Sequence, residues 1–193
     1  TFVTNLGVAT AGVEHDADLA DHFSDLYLHG FNTTDHYVLL NYRESGHVHG
    51  HRPPSHPELD TGAEGIWQLI DAVYRKGFVP VPMVALPGNV AWPGPSLIGY
   101  YNWPSCAANV RRNKRQAEYG LLRALKRYNA NVRYLGMRSG STDAASFVGI
   151  PVIAPDVLDD DDAGLVGNSR ARRRERFLPD IYRQLNLSVR NTD

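Results

Sequence analysis

Short apolar segments alternate with amphipathic segments along most of this 193-residue chain, and this alternation restricts its possible folds more than any other feature. Runs rich in β-branched and aliphatic residues predict strands at His36–Asn41, Phe78–Val84, Asn131–Gly136 and Ile150–Ala154. Apolar residues at helical spacing predict helices at Asp16–His29, Ala63–Lys76, Val110–Tyr128, Thr142–Val148 and Arg170–Leu187. Alternating strands and helices pair in parallel through right-handed crossovers, so we expect an α/β, three-layer Rossmann-like sandwich with a mainly parallel sheet.

The loops after the first three predicted strands have unusual compositions. One is rich in Gly, Pro, His and Ser, the next holds four aromatic residues, and the third begins with glycine. Ligands of parallel α/β sheets bind outside the carboxyl ends of the strands, so these loops should share one functional edge. The prolines of Phe78–Val84 indicate either a strand at the sheet edge or an early strand end.

Composition and charge exclude several classes of partner. The net charge is −1, so no global electrostatic field favours nucleic acid or an anionic membrane surface. The longest apolar runs, such as Phe78–Leu86, are too short to span a bilayer. We therefore expect neither a nucleic acid nor a membrane as a partner.

The only cysteine, Cys106, excludes an internal disulfide and a cysteine-based zinc site. We interpret it as a small apolar packing residue rather than a catalytic thiol, and we expect a reducing, cytoplasmic setting. The length suits a single domain over residues 1–193. Because the chain begins at Thr1 without a methionine, we expect it to be processed, trimmed or part of a larger polypeptide or assembly. The remainder of such a larger chain, or a second copy in a homo-oligomer, is its expected protein partner.

The segment that follows the third predicted strand is suited to hold a phosphate group. Gly136 and Gly140 allow a tight turn and a close approach of the backbone to a ligand. Ser141 or Thr142 can cap the next helix and leave its first N–H groups for an anion. Arg138 adds a planar, bidentate donor for a phosphate. The same residues also fit a plain strand–turn–helix connection with a capped helix.

This segment resembles the donor-binding segment in the C-terminal domain of GT-B glycosyltransferases and their epimerase relatives. The shared pattern is Ser–Gly, an acidic residue, small residues and Gly-x-Pro-Val, which correspond here to Ser139, Gly140, Asp143, Ala144, Ala145, Gly149, Pro151 and Val152. The resemblance implies that residues 139–142 (Ser139, Gly140, Ser141 and Thr142) face the diphosphate of a nucleotide-sugar and that Asp143 holds the ribose. By its residue type alone, Asp143 equally fits a carboxylate that complements the helix dipole.

The first predicted strand is followed by Arg43, which we expect to be a second cation beside the diphosphate. The stretch distantly resembles the His-x-Arg-Arg motif of GT-B fucosyltransferases, and the chain as a whole is distantly similar to fucosyltransferases and heptosyltransferases. Only one arginine matches, and Asn41 stands where the motif has histidine. The alternative is a surface arginine paired with Glu44.

Several other groups of residues have a functional and a structural interpretation. The loop histidines can chelate a metal through imidazole nitrogens, but their Gly- and Pro-rich loop has no fixed element to set ligand geometry, so we expect no metal. His47 or Glu44 of that loop is a candidate general base. The loop histidines are His47, His49, His51 and His56. The acidic run Asp159 to Asp162 fits a divalent metal site, by analogy with GT-A enzymes, or a solvated loop, which we favour because four consecutive acids point in different directions. An exposed basic helix face or an RNA contact fits Arg172, Arg173, Arg174 and Arg176, and sugar stacking or core packing fits Trp92, Tyr100, Tyr101 and Trp103.

Two functions compete on this basis. The first is a glycosyltransferase-type domain that transfers a sugar from a nucleoside diphosphate, with Arg43 and Arg138 as catalytic cations that stabilise the leaving diphosphate. It needs no metal or other cofactor, because the nucleotide-sugar is its substrate and the arginines supply the positive charge. The second is a degenerate nucleotide-binding domain that acts as a structural or interaction module in a larger assembly. A weaker third is a free-standing hydrolase or transferase that acts on a nucleotide.

Overall fold

The computed structural model describes residues 16–42, 61–110, 114–136, 140–158 and 182–188. The helices are α1 (Asp16–Leu28), α2 (Ala63–Arg75), α3 (Pro104–Val110), α4 (Lys114–Tyr128) and α5 (Gly140–Phe147). The strands are β1 (Tyr37–Asn41), β2 (Val79–Pro82), β3 (Val132–Gly136), β4 (Val152–Leu158) and β5 (Tyr182–Ser188). Each strand predicted from the sequence is present at an overlapping position.

The strands form one five-stranded sheet in the order β2-β1-β3-β4-β5, and every neighbouring pair is parallel. The expected α/β class with a mainly parallel sheet is therefore confirmed. The chain moves from β1 to β2 on one side of β1, and then to β3, β4 and β5 on the other side. The strand order thus reverses between β1 and β3, and a reversal of this kind is where parallel α/β sheets bind ligands.

Successive residues of β1 pack into different hydrophobic clusters, because side chains alternate across a strand. Tyr37 and Leu39 belong to a large cluster that also contains side chains of α1, α4 and α5. Val38 and Leu40 belong to a second cluster, together with side chains of α2. Burial on both faces identifies β1 as a central strand, and each buried leucine contributes about 1.5–3 kcal/mol to folding.

The prolines of β2 are accommodated because the strand lies at the edge of the sheet. The backbone N–H of Val79 donates to the backbone oxygen of His36 at 2.8 Å, and the backbone N–H of Met83 donates to the backbone oxygen of Leu40 at 3.1 Å. Pro80 and Pro82 occupy the alternating positions, where a strand at the edge needs no N–H donor. The edge position predicted from these prolines is confirmed.

The helix predicted over Arg170–Leu187 is wrong in its last part, because Tyr182–Ser188 forms β5 beside β4. Residues 159–181, which include the acidic run and the arginine-rich stretch, lie outside the described residues. Pro179 removes an N–H that a helix interior needs, and the leucines at 185 and 187 follow the alternation of a strand. These two signals outweigh the helical spacing of the arginines.

The predicted helix Val110–Tyr128 is present as α4 (Lys114–Tyr128), and a helix that was not predicted, α3, precedes it at Pro104–Val110. The side chain of Asp25 on α1 accepts the backbone N–H of Ser105 at 3.0 Å, in the first turn of α3. This contact satisfies one of the donors that every helix start leaves without an intrahelical partner. A cap that comes from a distant residue leaves no trace in the local sequence, which explains why α3 was not predicted.

Candidate functional site

The carboxyl ends of β1 and β3 lie next to each other at the point where the strand order reverses. Their last residues, Asn41 and Gly136, are paired in the parallel register. We call this place the switch point. The two loops with the strongest sequence signals, those after β1 and after β3, therefore start from neighbouring positions, as the α/β pattern predicted.

A hydrogen bond between the strands lies at the switch point. The side-chain amide of Asn41 donates to the hydroxyl of Tyr134 at 2.6 Å. Tyr134 is completely buried and lies in the cluster that α1, α4 and α5 cover, whereas Asn41 is half-buried. The buried tyrosine therefore orients a polar side chain that remains partly accessible at the carboxyl edge.

Gly136 is glycine because its neighbours leave no room for a side chain. A Cβ at this position would lie 2.6 Å from the backbone oxygen of Asn41 and 3.1 Å from a ring carbon of Tyr134. The first distance is shorter than any normal carbon–oxygen contact, so the strands would have to separate. The sequence suggested that Gly136 makes room for a ligand, while the structure shows that it also makes room for the Asn41–Tyr134 contact.

Helix α5 begins at Gly140, so Gly140 and Ser141 belong to its first turn rather than to the preceding loop. The helix was predicted to begin at Thr142. With the earlier start, the N–H groups directed out of the N-terminal end are those of the residues matched to the diphosphate-binding pattern. Arg138 and Ser139 precede this start and lie outside the described residues.

The side chain of Ser141 points toward a buried carboxyl group. Ser141 is half-buried and hydrogen-bonds to Glu118 of α4, which is 9% exposed. Burial raises the pKa of Glu118, and the Ser141 hydroxyl and the charge of Arg115 partly oppose that increase. The contact brings the N-terminal half of α4 against the start of α5.

The other two residues of the predicted cradle differ in accessibility. Thr142 is completely buried, so neither its side chain nor its backbone is exposed to a ligand. Asp143 is half-buried beside Tyr119, and burial first and the Asp143 charge second raise the pKa of the Tyr119 hydroxyl to about 12. Asp143 is thus the partly accessible carboxylate in the first turn of α5.

The start of α4 carries two cationic residues that the sequence interpretation did not single out. Lys114 and Arg115 are exposed in the first turn of α4. The Lys114 ammonium lies 5.8 Å from the centre of the Tyr101 ring, a weak cation–π arrangement, and Arg115 lies near Glu118. Two positive charges of α4 therefore lie beside Tyr101 and Glu118, and Glu118 in turn contacts Ser141 of α5.

The aromatic residues after β2 mainly serve packing. Trp103 is buried and stacks on His29 with 4.0 Å between the ring centres, and Tyr100 is buried in the large cluster. The indole N–H of Trp92 donates to the backbone oxygen of Pro95 at 3.1 Å. Of the four, Trp92 and Tyr101 are half-buried, and Tyr101 lies beside Lys114.

The hydroxyl of Tyr42 ties the start of the β1 loop to the loop after β2. It donates to the backbone oxygen of Val84 at 2.9 Å and also contacts the backbone oxygen of Ala85. The ring is buried in the cluster that contains α2. The next residue, Arg43, lies outside the described residues, as do Glu44 and the four loop histidines.

Cys106 is completely buried, and burial raises the pKa of its thiol to about 11, an effect that the Ser105 hydroxyl partly opposes. The interpretation of this residue as a packing side chain is confirmed. Within the described ranges, no group of three or more His, Cys, Asp or Glu side chains lies close enough together to hold a metal ion. No helix in the described part of the chain combines the length and apolar character needed to cross a membrane.

Comparison of the chain with protein-family models, with curated proteins and with solved structures finds no match.

Proposed function

We propose that this chain binds a nucleoside diphosphate sugar at its switch point and acts as a glycosyltransferase-type domain. The observation that carries the proposal is the pairing of Asn41 with Gly136 at the carboxyl ends of β1 and β3. Arg43 follows Asn41 by two residues, and Arg138 follows Gly136 by two residues. Both candidate arginines therefore belong to loops that leave the sheet at the same place, and this is the place where we propose that an anionic ligand binds.

In the proposed site the first turn of α5 provides backbone N–H groups for the diphosphate. Arg43 and Arg138 provide charged donors, and Lys114 and Arg115 add positive charge nearby. Asp143 accepts hydrogen bonds from the ribose. We also propose that the whole domain is a three-layer Rossmann-like sandwich. In support, α1, α4 and α5 contribute to one hydrophobic cluster of the sheet, and α2 contributes to the other.

The proposed reaction moves a sugar from the nucleotide to an acceptor hydroxyl. The acceptor oxygen forms a bond to the anomeric carbon while the bond from that carbon to the diphosphate oxygen breaks, and the proton of the acceptor hydroxyl passes to the candidate general base, His47 or Glu44. Negative charge grows on the leaving diphosphate, and the arginines with the α5 N–H groups stabilise it. Because protein cations supply that charge, the proposed reaction requires no metal.

Thermal-shift titration with GDP, UDP, ADP and CDP tests nucleotide binding directly. A ligand that binds the folded protein raises its melting temperature, so we expect one nucleotide to raise it in a concentration-dependent manner. Flat responses to all four, from protein that melts cooperatively, would contradict the proposal and favour a degenerate domain with a structural role. Transfer is then tested by incubating the sugar conjugate of the bound nucleotide with candidate acceptors and measuring release of the free diphosphate.

A further inference from the structure

Asn41 is a polar residue at the switch point that lies outside the predicted phosphate-binding segment after β3. Asn41 ends β1, and its amide nitrogen donates to the Tyr134 hydroxyl at 2.6 Å. Tyr134 is completely buried and lies in β3, so its hydroxyl is a fixed acceptor. The amide group of Asn41 is consequently held in one orientation.

That orientation determines which atom Asn41 offers at the carboxyl edge. With one N–H of the nitrogen donated to Tyr134, the side chain keeps a second N–H on that same nitrogen and one acceptor, Oδ1, which points away from it. Among the described residues no donor is hydrogen-bonded to Oδ1, and the side chain is only half-buried. A partly accessible carbonyl oxygen accepts hydrogen bonds but cannot donate them, so it can pair with a hydroxyl or an N–H group and not with an ionised phosphate.

The absence of a side chain at position 136 is part of the same arrangement. A Cβ there would lie 3.1 Å from the Asn41 Cβ as well as 3.1 Å from the Tyr134 ring. Any larger residue would force Asn41 or Tyr134 to shift. Asn41, Tyr134 and Gly136 are therefore a unit in which the tyrosine positions the amide and the glycine leaves space for it.

We propose that Oδ1 of Asn41 contacts the ligand of the proposed site by accepting a hydrogen bond from a hydroxyl of its ribose or of its transferred sugar. This inference rests on the proposed function. It adds a residue at the end of β1 that contacts a sugar hydroxyl of the ligand. The phosphate-binding role remains with the first turn of α5 and the candidate arginines. Tyr134 is a positioning residue, because it acts on the ligand only through Asn41.

The test measures the affinity of wild type, Asn41→Ala, Asn41→Leu and Tyr134→Phe by isothermal titration calorimetry. The first probes are GDP, UDP, ADP and CDP, together with their glucose or mannose conjugates. The others are the 2′-deoxy and 3′-deoxy forms of the four nucleoside diphosphates, and inorganic diphosphate. Asn131→Ala is the matched control, since Asn131 is a half-buried asparagine that precedes the opposite, amino end of β3. Melting of each unliganded variant shows whether it is folded at the assay temperature.

We expect Asn41→Ala and Asn41→Leu to weaken binding of the preferred nucleotide-sugar by about threefold to tenfold, the loss of one neutral hydrogen bond. Affinity for inorganic diphosphate should not change, and Asn131→Ala should behave as wild type. Tyr134→Phe should give a smaller loss with the same ligand selectivity. If the loss appears with the nucleoside diphosphate and disappears with its deoxy forms, the contact is to the ribose; if it appears only with the conjugate, the contact is to the sugar.

Equal losses for every probe, inorganic diphosphate included, would show that Asn41 serves the phosphates and would overturn the inference. Unchanged affinity in folded Asn41 variants, with a wild type that binds, would overturn it and leave the proposed function in place. A wild type that binds none of the probes would overturn both. If the Asn41 variants do not fold, folded Tyr134→Phe decides by the same comparison of nucleotide-sugar with inorganic diphosphate.

Discussion

Glu118 of α4 and Ser141 of α5 are joined by a side-chain hydrogen bond. They are distant in sequence, and their contact holds the first turn of α5 against a neighbouring helix. Glu118 is 9% exposed, and a carboxylate removed from water at this depth needs compensation. Ser141 and the charge of Arg115 supply part of it, and the pKa of Glu118 stays raised. The start of α5 is thus fixed by a buried polar contact as well as by its own glycine and hydroxyl residues.

The contact predicts a pH dependence of stability that Glu118→Gln should reduce. Burial raises the pKa of Glu118 above its usual 4.5, so the folded protein binds the proton more tightly than the unfolded chain does. Its contribution to stability is complete below pH 4.5 and is lost as the pH rises through the raised pKa. Urea unfolding from pH 4.5 to neutral should therefore show a smaller decline in the free energy of unfolding for Glu118→Gln than for wild type.

Glu64→Gln is the control for this series, because Glu64 is an exposed glutamate on α2. Its curve should follow that of wild type. Glu118→Ala should lower the free energy of unfolding by about 1–3 kcal/mol, because it leaves the Ser141 hydroxyl without its acceptor. If the free energy of unfolding of wild type and of Glu118→Gln varied with pH in the same way, burial would not raise the pKa of Glu118, and the prediction would be wrong.

The lack of space at position 136 predicts a loss of stability on Gly136→Ala. The added Cβ would lie 2.6 Å from the backbone oxygen of Asn41, and backbone in a central strand cannot easily move away. We expect the free energy of unfolding to fall by about 1–3 kcal/mol, as for other overpacked sites. Chemical denaturation of the two proteins measures the difference.

Gly65→Ala is the opposite case and serves as its control. Gly65 lies in α2, and a Cβ there meets only the Thr61 methyl group at 3.4 Å. Because glycine weakens a helix by about 0.5–1 kcal/mol relative to alanine, Gly65→Ala should be neutral or stabilising. A Gly136→Ala protein as stable as wild type would mean that β1 and β3 can separate at no cost.

Local patterns predicted β1 to β4 because each of these strands carries its own signal. The aliphatic run of β1 is buried on both faces, and the prolines of β2 are tolerated at the edge that the sheet gives them. Prediction failed where the deciding contact comes from far along the chain. Asp25 supports the start of α3 from α1, and no pattern near Ser105 reveals it. At β5, a helical spacing of arginines was extended past Pro179, although proline ends such a pattern.

The candidate site was predictable in the same partial way. Glycines, a hydroxyl pair and an acid after β3 are close in sequence, so their shared chemistry was visible. Glu118, Tyr134 and Asn41 are brought to the site by the fold, and their individual residue types carry no signal. Asn41 entered the sequence interpretation only as a departure from a histidine-containing motif. Its bond to Tyr134 joins two strands that are 93 residues apart in sequence, which no local pattern can show.

Burial of Cys106 predicts a thiol that does not react in the folded protein. Its pKa is raised to about 11, so below that pH the side chain remains a neutral thiol rather than the nucleophilic thiolate. At pH 8, we expect an aromatic disulfide reagent to modify native protein only at the rate of unfolding. In denaturant the same thiol should react at once. Rapid modification of the native protein would place Cys106 at an accessible surface, against the packing described for it.

Nucleotide binding should depend on Arg138 and Asp143 and not on comparable residues elsewhere. Arg138→Ala and Asp143→Ala should each weaken the preferred nucleotide by about 1–3 kcal/mol, the typical loss for a hydrogen bond to a charged group. Arg75→Ala and Asp71→Ala are matched controls. These two residues form an exposed ion pair at 2.8 Å on α2, and surface pairs of this kind contribute little.

The two variants should also differ from each other in ligand dependence, which separates the roles proposed for them. If Asp143 holds the ribose, its substitution should matter less for a deoxy nucleotide that lacks the hydroxyl it binds. If Arg138 binds the phosphates, its substitution should cost the same for ribose and deoxyribose forms and should also weaken inorganic diphosphate. Calorimetric titration of both variants with each ligand gives the comparison. Equal behaviour of Asp143→Ala across all ligands would assign Asp143 to the α5 helix dipole instead, with the arginine alone serving the ligand.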